Sequence, residues 1–415
     1  MSARTPLQRS LGLFDATTLG VASMVGAGVF VVLSPAAARA GSLLWAALLV
    51  AAAVAAANAL AVAALAAVHP ASGGAYLYGR RQLGPWRGFL AGWGFVTGKT
   101  ASCAAMAYTF GLYTAPSHAV PLAIGAVAAV TAVNLRGISR TAGAARLLLA
   151  PVLGVLVFVA AGALAGPDAG AASPAVPADA WAVPQAAGLL FFAFAGYARI
   201  ATLGEEVRDP QRTIPLAVAG ALGATLLVYA ALAAGLVRLL GGEGLAATTT
   251  PVRDAVVLLG APAWIAAAGA ALASLGALLA LVAGISRTAL AMAREGDLPA
   301  ALSRVGSRHA VPWVAEICAA VVVVVLLLVT TNVTTIIGFS SFGVLAYYAV
   351  ANASAWTLRE RPWYSPRWLN AAGLAACLLL AFTLPWASIA AMAGVFAVGC
   401  AGRALALVPR RRARS

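Results

Sequence analysis

Charge is scarce in this chain. Of its 415 residues, 9% are charged and only 12 are acidic, whereas about 25% of the residues of a soluble domain carry a charge. Hydrophobic residues make up 62% of the sequence, and the mean hydropathy is +0.93. A soluble surface cannot be built from this composition. Because backbone in a bilayer must satisfy its own hydrogen bonds, the long apolar segments predict an all-α polytopic membrane protein.

Cysteine and histidine are also rare. The four cysteines lie inside apolar segments without a Cys-x-x-Cys pair, and the three histidines are far apart. We therefore expect small buried thiols, no disulfide framework and no metal site. No Ser/His/Asp, Cys/His or phosphate-loop pattern appears, so we expect no enzyme activity and no cofactor.

The net charge of +15 comes almost entirely from arginine. In a soluble chain it would suggest nucleic acid binding, but most arginines lie in the tails and in alternate loops, which the positive-inside rule places in the cytoplasm. We expect cytoplasmic N and C termini, an even number of spans and no nucleic acid partner. The first apolar segment lacks a signal-peptide cleavage site, so we expect it to remain a span in an inner or plasma membrane.

Stretches long enough to cross a bilayer, which takes about 20 residues, recur along the chain. About twelve are predicted, at 13–35, 42–68, 88–115, 117–133, 147–166, 184–204, 214–237, 262–284, 313–331, 335–358, 369–384 and 386–407. The fourth and eleventh are short and are also consistent with tilted or re-entrant segments.

Glycine interrupts two of these spans near their middle, at Gly26-Ala27-Gly28 and at Ala195-Gly196-Tyr197. Glycine costs roughly 1 kcal/mol inside a helix, and backbone released from helical hydrogen bonds is tolerated in a membrane where it lines a cavity or is buried in protein. Paired interruptions in corresponding spans indicate a transporter's binding site. A glycine kink for close helix packing is the alternative.

Each interruption falls in the first span of a five-span set, and an odd number of spans would relate the two sets by inverted topology. The predicted organisation is a cytoplasmic N-terminal tail (1–12), a first five-helix repeat (13–166), an extracytoplasmic linker (167–183), a second, inverted five-helix repeat (184–358), two accessory helices (359–408) and a basic cytoplasmic tail (409–415). We expect the accessory helices to serve packing or oligomer contact.

Five segments, in order along spans one to eight, carry a resemblance. They are Gly26-Ala27-Gly28-Val29-Phe30; Pro70-Ala71-Ser72-Gly73-Gly74-Ala75-Tyr76 followed by Gly84; Gly92-Trp93; Phe191 to Tyr197 with Glu205 to Pro215; and Ser286-Arg287 with Ala291 to Pro299. Over about residues 10–360 the chain resembles the amino acid–polyamine–organocation (APC) superfamily of permeases. The resemblance implies a LeuT-like five-plus-five inverted repeat, here with two extra C-terminal helices.

The backbone groups at the two interruptions could bind both charged groups of an amino acid, its carboxylate and its ammonium. Backbone N–H groups of Gly26, Ala27 and Gly28 would hold a carboxylate at a positive helix end, and carbonyls before each break would accept hydrogen bonds from an ammonium. Phe194 and Tyr197 are interpreted as a gate or pocket wall, with plain packing as the alternative. The candidate substrate-binding residues are Ala22, Ser23, Gly26, Ala27, Gly28, Lys99, Phe191, Phe194, Ala195, Gly196 and Tyr197.

Lys99, the only lysine, lies about twelve residues into the third span from Arg87, near the middle of the membrane at about 1.5 Å per residue. A charge at that depth faces a cavity or a partner. Three interpretations remain open: proton coupling, lining of the side-chain pocket, where the charge would disfavour Arg- or Lys-like substrates, and a structural hydrogen bond to a neighbouring helix. Some members of the superfamily use a lysine in span five, but this chain has Ala150-Pro151-Val152-Leu153 there.

On the cytoplasmic side, residues 70–84 predict an amphipathic segment that would plug the inner exit or simply lie at the interface. The candidate gate and charge network there consists of Tyr76, Arg199, Glu205, Glu206 and Arg208.

The predicted function is secondary transport of amino acids by alternating access. Proton coupling or exchange is favoured over sodium, because span eight offers Ser274 and Ser286 but no adjacent hydroxyl pair. The expected partners are a small amino acid, protons and the lipid bilayer. An exporter or an amine or polyamine exchanger of the same fold is one alternative; a channel or a non-transporting membrane sensor is another.

Overall fold

The computed structural model describes residues 12–69, 74–136, 141–168, 179–197, 200, 207–306, 309 and 311–412. Over these residues the chain is helical, without a strand. The α-helices are α1 (Leu13–Met24), α2 (Leu33–Ala40), α3 (Leu44–Val68), α4 (Gly74–Leu83), α5 (Pro85–Thr114), α6 (Ala119–Leu135), α7 (Thr141–Ala165), α8 (Ala182–Phe194), α9 (Pro210–Ala247), α10 (Pro251–Leu258), α11 (Trp264–Arg294), α12 (Trp313–Val329), α13 (Val333–Trp356), α14 (Arg367–Thr383) and α15 (Trp386–Arg412). Short 3-10 turns lie at Ala27–Phe30, Gly41–Leu43, Pro116–His118 and Ala300–Ser303.

Many of these helices suit a bilayer. Within the described ranges, six segments are long and apolar enough to cross a membrane: Leu33–Val68, Pro116–Leu135, Gln211–Ala247, Trp264–Arg294, Val333–Trp356 and Trp386–Leu407. Shorter apolar helices are Leu149–Ala165, Ala182–Phe194, Trp313–Val329 and Arg367–Thr383. The predicted all-α, polytopic class is confirmed, while the count of twelve spans stays a prediction.

Two helices run well past their predicted spans, and a third was not expected. The eighth span was expected at 262–284, but α11 runs from Trp264 to Arg294. The seventh span was expected at 214–237, but α9 runs from Pro210 to Ala247 and has a non-helical Gly241 with φ 73°. Hydropathy falls at Arg238, yet a helix need not be apolar once it leaves the hydrocarbon region. Helix α10 was not expected, because its eight residues are too few and too polar to appear as a span.

The four cysteines do not share one environment. Cys103 and Cys377 are buried as expected, Cys400 is half-buried, and Cys318 on α12 is exposed. The expectation of four buried thiols was therefore wrong for Cys318 and only partly met at Cys400. On the same face of α12, Val321 and Val325 are also exposed. This face of the helix points away from the bundle, toward lipid.

Tryptophan marks the helix ends. The exposed indoles lie at or near the end of a helix, at Trp45, Trp86, Trp181, Trp264, Trp313, Trp356, Trp363, Trp368 and Trp386. Indole favours the membrane–water interface, since the ring is apolar and its N–H needs a polar partner. Trp93 differs, because it is half-buried and donates to the carbonyl of Val395 at 2.8 Å.

Helix α5 lies inside the bundle, against α4, α6, α11, α12 and α13. Its approach to α13 depends on glycine. A Cβ atom at Gly98 would lie 2.9 Å from the carbonyl oxygen of Ser340, and one at Gly94 would lie 2.8 Å from that of Gly343. Small residues allow such close backbone packing in membranes, and this packing holds the middle of α5 within the protein.

Ion pairs form at both ends of the bundle. At one end Arg39, next to the end of α2, pairs with Asp179, and Arg238 lies 3.5 Å from Asp168. At the other end Asp297 pairs with Arg80 and Arg403. The positive-inside rule assigns Arg39, Asp168, Asp179 and Arg238 to the extracytoplasmic side of the predicted topology, and Arg80 and Arg403 to its cytoplasmic side. The structure therefore keeps together the residues that charge patterning assigned to one side.

Candidate functional site

The first break is formed by Val25 and Gly26. Helix α1 ends at Met24, Gly26 has an extended backbone, and a 3-10 turn then begins at Ala27. The first N–H groups of a helical turn and the last carbonyls of a helix lack partners within it. The N–H groups of Ala27 and Gly28 and the carbonyls of Ala22 and Ser23 are therefore the groups that this break makes available.

The second break touches the first. Helix α8 ends at Phe194, and residues 195–197 form a turn. A Cβ atom at Gly196 would lie 1.9 Å from the carbonyl oxygen of Ser23, and one at Gly28 would lie 3.1 Å from the Cα of Ala193. Any other residue at position 196 would collide with Ser23, so glycine is what brings the two breaks into contact.

Exposure is uneven around this contact. Gly26, Ala27 and Gly28 are buried, Ala22 and Gly196 are half-buried, and the side chain of Ser23 is exposed although it is next to the break. The Ser23 hydroxyl donates to the carbonyl of Leu19 at 2.8 Å, within its own helix. The region where the two breaks meet is therefore accessible from outside the protein at the end of α1, where Ser23 lies.

Tyr229 on α9 joins the two breaks. Its hydroxyl lies 2.8 Å from the carbonyl oxygen of Met24, at the end of α1, and 3.1 Å from that of Ala193, near the end of α8. Its ring packs edge-on against Phe194, with centroids 5.1 Å apart. Sequence reasoning missed this residue, because one tyrosine in an apolar span looks like packing.

Lys99 reaches the second break from the middle of α5. Its side chain is buried, and its ammonium donates to the carbonyl of Ala195 over 3.4 Å. Ala195 follows the last residue of α8, where the helix dipole is negative and favours a cation. This contact has the form of the structural hydrogen bond to a neighbouring helix that is one of the three interpretations, and the role of Lys99 stays a prediction.

The aromatic residues of the second break belong to the packed core. Phe191, Phe194 and Tyr197 are buried, and the Tyr197 and Tyr348 rings lie 5.0 Å apart. On the other side of the first break, the Tyr113 hydroxyl donates to the carbonyl of Phe30 at 2.6 Å. The gate or wall role of Phe194 and Tyr197 stays a prediction.

A charge network occupies the end of the bundle near α4. Tyr76 donates to Asp297 at 2.8 Å, and Arg80 and Arg403 contact the same carboxylate at 3.0 and 2.9 Å. The Asp297 and Arg403 side chains are 3% and 4% exposed, so this pair is desolvated. Burial and the Asp297 carboxylate raise the pKa of Tyr76, which keeps its hydroxyl protonated as a donor.

Only part of the predicted cytoplasmic network can be placed. Tyr76 belongs to the network around Asp297. Arg199, Glu205 and Glu206 lie outside the described residues, and so does the start of the 70–84 segment. The backbone carbonyl of Arg208 accepts a hydrogen bond from Thr213 at 2.7 Å, just before α9.

Asp297 and Arg403 were not among the predicted site residues. Asp297 lies within the Ala291 to Pro299 segment that carried the resemblance, so that segment could have signalled a role for its carboxylate. Arg403 had no such signal, because its partner lies on a distant part of the chain.

Comparison with known proteins identifies the family. Residues 11–400 match the family model described as "Amino acid permease". An uncharacterized transporter of Mycobacterium tuberculosis is 51% identical, over 98% of this chain and 93% of its own length. The branched-chain amino acid permease of Bacillus subtilis is 26% identical, over 94% and 90%, and a methylthioribose transporter of the same species is 28% identical, over 86% and 82%. The chain therefore belongs to the amino acid permease family of the APC superfamily, whose members are membrane transporters and not enzymes.

Proposed function

We propose that this protein is a secondary transporter of amino acids that binds its substrate where the two broken helices meet. The observation that carries the proposal is the contact between Gly196 and the Ser23 carbonyl. It brings together two sets of helix-end groups that an unbroken bundle would not provide: N–H groups at the start of the 3-10 turn and carbonyls at the ends of α1 and α8.

These groups suit a zwitterion. A carboxylate would accept hydrogen bonds from the N–H groups of Ala27 and Gly28, where the helix dipole is positive. An ammonium would donate to the carbonyls of Ala22 and Ser23 at the negative end of α1. The name of the branched-chain amino acid permease, a relative over most of this chain, supports an amino acid as substrate.

The same arrangement supports alternating access. The first broken helix has two short halves, α1 and α2, and short halves can tilt independently around a fixed site. We propose that the chain forms a five-plus-five inverted repeat of about twelve spans, with α14 and α15 as the accessory helices. We also propose that the protein lies in the inner or plasma membrane, with both termini in the cytoplasm. Coupling to protons or exchange of substrates would drive transport.

The test is ligand-induced thermal stabilisation of the purified full chain with each of the twenty amino acids, since a ligand at one hundred times its Kd stabilises by about 2.7 kcal/mol. The best ligand is then compared with its decarboxylated and deaminated analogues. We expect both analogues to lose most of the shift, because each lacks one charged end.

Transport itself is tested by counterflow in proteoliposomes. A permease should show saturable uptake that is accelerated by unlabelled substrate inside. No shift with any amino acid in a folded sample would reject the proposed substrate class, and conduction without saturation would favour a channel.

A further inference from the structure

Lys99 is a buried cation that has no carboxylate partner among the described residues. Its side chain is 7% exposed, and its one described hydrogen bond is the 3.4 Å contact to the Ala195 carbonyl. That distance exceeds the usual range for a strong hydrogen bond, and an ammonium has three donors. Among the described residues, no carboxylate forms an ion pair with it.

The buried carboxylate of Asp297 contrasts with Lys99, because two arginines and a tyrosine surround it. Glu316 resembles Lys99 more closely: one of its oxygens accepts a hydrogen bond from Ser286 at 3.3 Å, and the other has no hydrogen-bond partner among the described residues. A desolvated ammonium held by one long contact is costly. Its position is therefore better explained by an anion that arrives from outside the chain than by packing.

Lys99 also lies next to the proposed site, on the helix that borders both breaks. Its partner Ala195 precedes Gly196, which touches the Ser23 carbonyl. Helix α5 also contacts the 3-10 turn Ala27–Phe30, and its Tyr113 holds the carbonyl of Phe30. Helix α5 thus borders both breaks. An amino acid whose backbone groups bind to the breaks would present its side chain to α5.

We infer that Lys99 selects amino acids that carry a carboxylate in the side chain, namely glutamate or aspartate. The inference rests on the proposed function and assigns a substrate class to that site. The incoming carboxylate takes the two ammonium donors that the Ala195 carbonyl leaves open. A cationic side chain is repelled, and a neutral amide cannot neutralise the charge.

Isosteric ligand pairs test this directly. Glutamate and glutamine, or aspartate and asparagine, differ in side-chain charge at nearly equal size. We expect the native chain to bind the acid at least about tenfold more tightly than its amide, measured by thermal shift titration and by competition in proteoliposome counterflow.

Three variants complete the test. Lys99→Met keeps the length of the side chain without its charge, and should bring the acid-to-amide affinity ratio to about one. Lys99→Arg should retain a preference for the acid. Arg238→Met removes a positive charge that is paired with Asp168 elsewhere, and should leave the ratio unchanged. If Lys99→Met does not fold, Lys99→Gln replaces it.

The outcomes separate the two proposals. If glutamine binds the native chain as tightly as glutamate, or if the ratio survives in Lys99→Met, the inference is overturned while an amino acid permease remains. If neither acids nor amides nor any other amino acid binds, the proposed function itself is rejected.

Discussion

At the scale of single residues, one hydroxyl is shared between the two halves of the site. The Tyr229 hydroxyl lies within hydrogen-bond distance of both Met24 and Ala193 carbonyls, yet it has one proton to donate. The donor can therefore serve either break, and the proposed motion of the broken helices would change which carbonyl it serves. This makes Tyr229 a positioning residue for the contact.

Replacing Tyr229 with phenylalanine tests that role. The change keeps the ring against Phe194 and removes the one buried donor that the Met24 and Ala193 carbonyls share, and loss of a buried donor costs about 1–3 kcal/mol. We expect a lower apparent unfolding temperature and weaker amino acid binding, both measured by thermal shift. Tyr364→Phe, in the loop between α13 and α14, is the control and should leave binding unchanged. Binding unaffected by Tyr229→Phe would contradict the role.

Residue patterns predicted some of this site and missed the rest. Glycine in the middle of an apolar span is costly, so Gly26, Gly28 and Gly196 stand out from sequence alone. Lys99 stands out because it is a charge inside a span. Tyr229 gives no such signal, since a buried tyrosine is ordinary until its two acceptors are known.

At the scale of helices, α15 is tied to the bundle by a buried charge. Arg403 pairs with Asp297, donates to the carbonyl of Pro85 at 2.9 Å and lies over the ring of Trp86 at 4.5 Å. The last helix was expected to serve packing or oligomer contact. The described contacts show packing within the chain, against the start of α5 and the end of α11.

Removal of one partner from this network should be costly. Asp297→Asn leaves the desolvated Arg403 without its counter-ion, and such a loss costs about 3–5 kcal/mol. We expect a clear fall in the apparent unfolding temperature. Glu295→Gln is the matched control, because Glu295 contacts Arg80 at 3.0 Å but is 45% exposed, and exposed pairs contribute about 0–1 kcal/mol. Equal effects of both changes would show that burial does not matter here.

Element boundaries were predicted less well than element types. The ends of α3, α5 and α13 lie within a few residues of their predicted spans, because hydropathy changes sharply there. Helix α9 extends ten residues beyond its predicted end at 237, but the non-helical Gly241 divides it there into two helical parts, a kink that hydropathy does not show.

At the scale of the whole molecule, charge divides the chain between two sides. Arg39 and Asp179 meet at one end, and Arg80, Asp297 and Arg403 meet at the other. Hydropathy and arginine counts alone led to this division. Which partners pair within each side depends on tertiary packing, which the sequence pattern does not contain.

The proposed orientation predicts which positions are accessible from outside the cell. In a chain whose native cysteines are replaced by alanine, Ser42→Cys should react with a membrane-impermeant thiol reagent in intact cells, and Glu360→Cys should react only after the membrane is opened. Both positions are exposed in the structure, so access would depend on the side of the membrane. The reverse pattern would invert the topology.

Ser23 offers the most direct test of the proposal that an amino acid binds where the two breaks touch. Its side chain is exposed beside the contact, so Ser23→Cys, in the same cysteine-free background, should react with a small thiol reagent. We predict that the amino acid identified by thermal stabilisation slows this reaction severalfold, and that its decarboxylated analogue does not. An unchanged rate at a saturating concentration of that amino acid would contradict the account, because the substrate would then bind elsewhere.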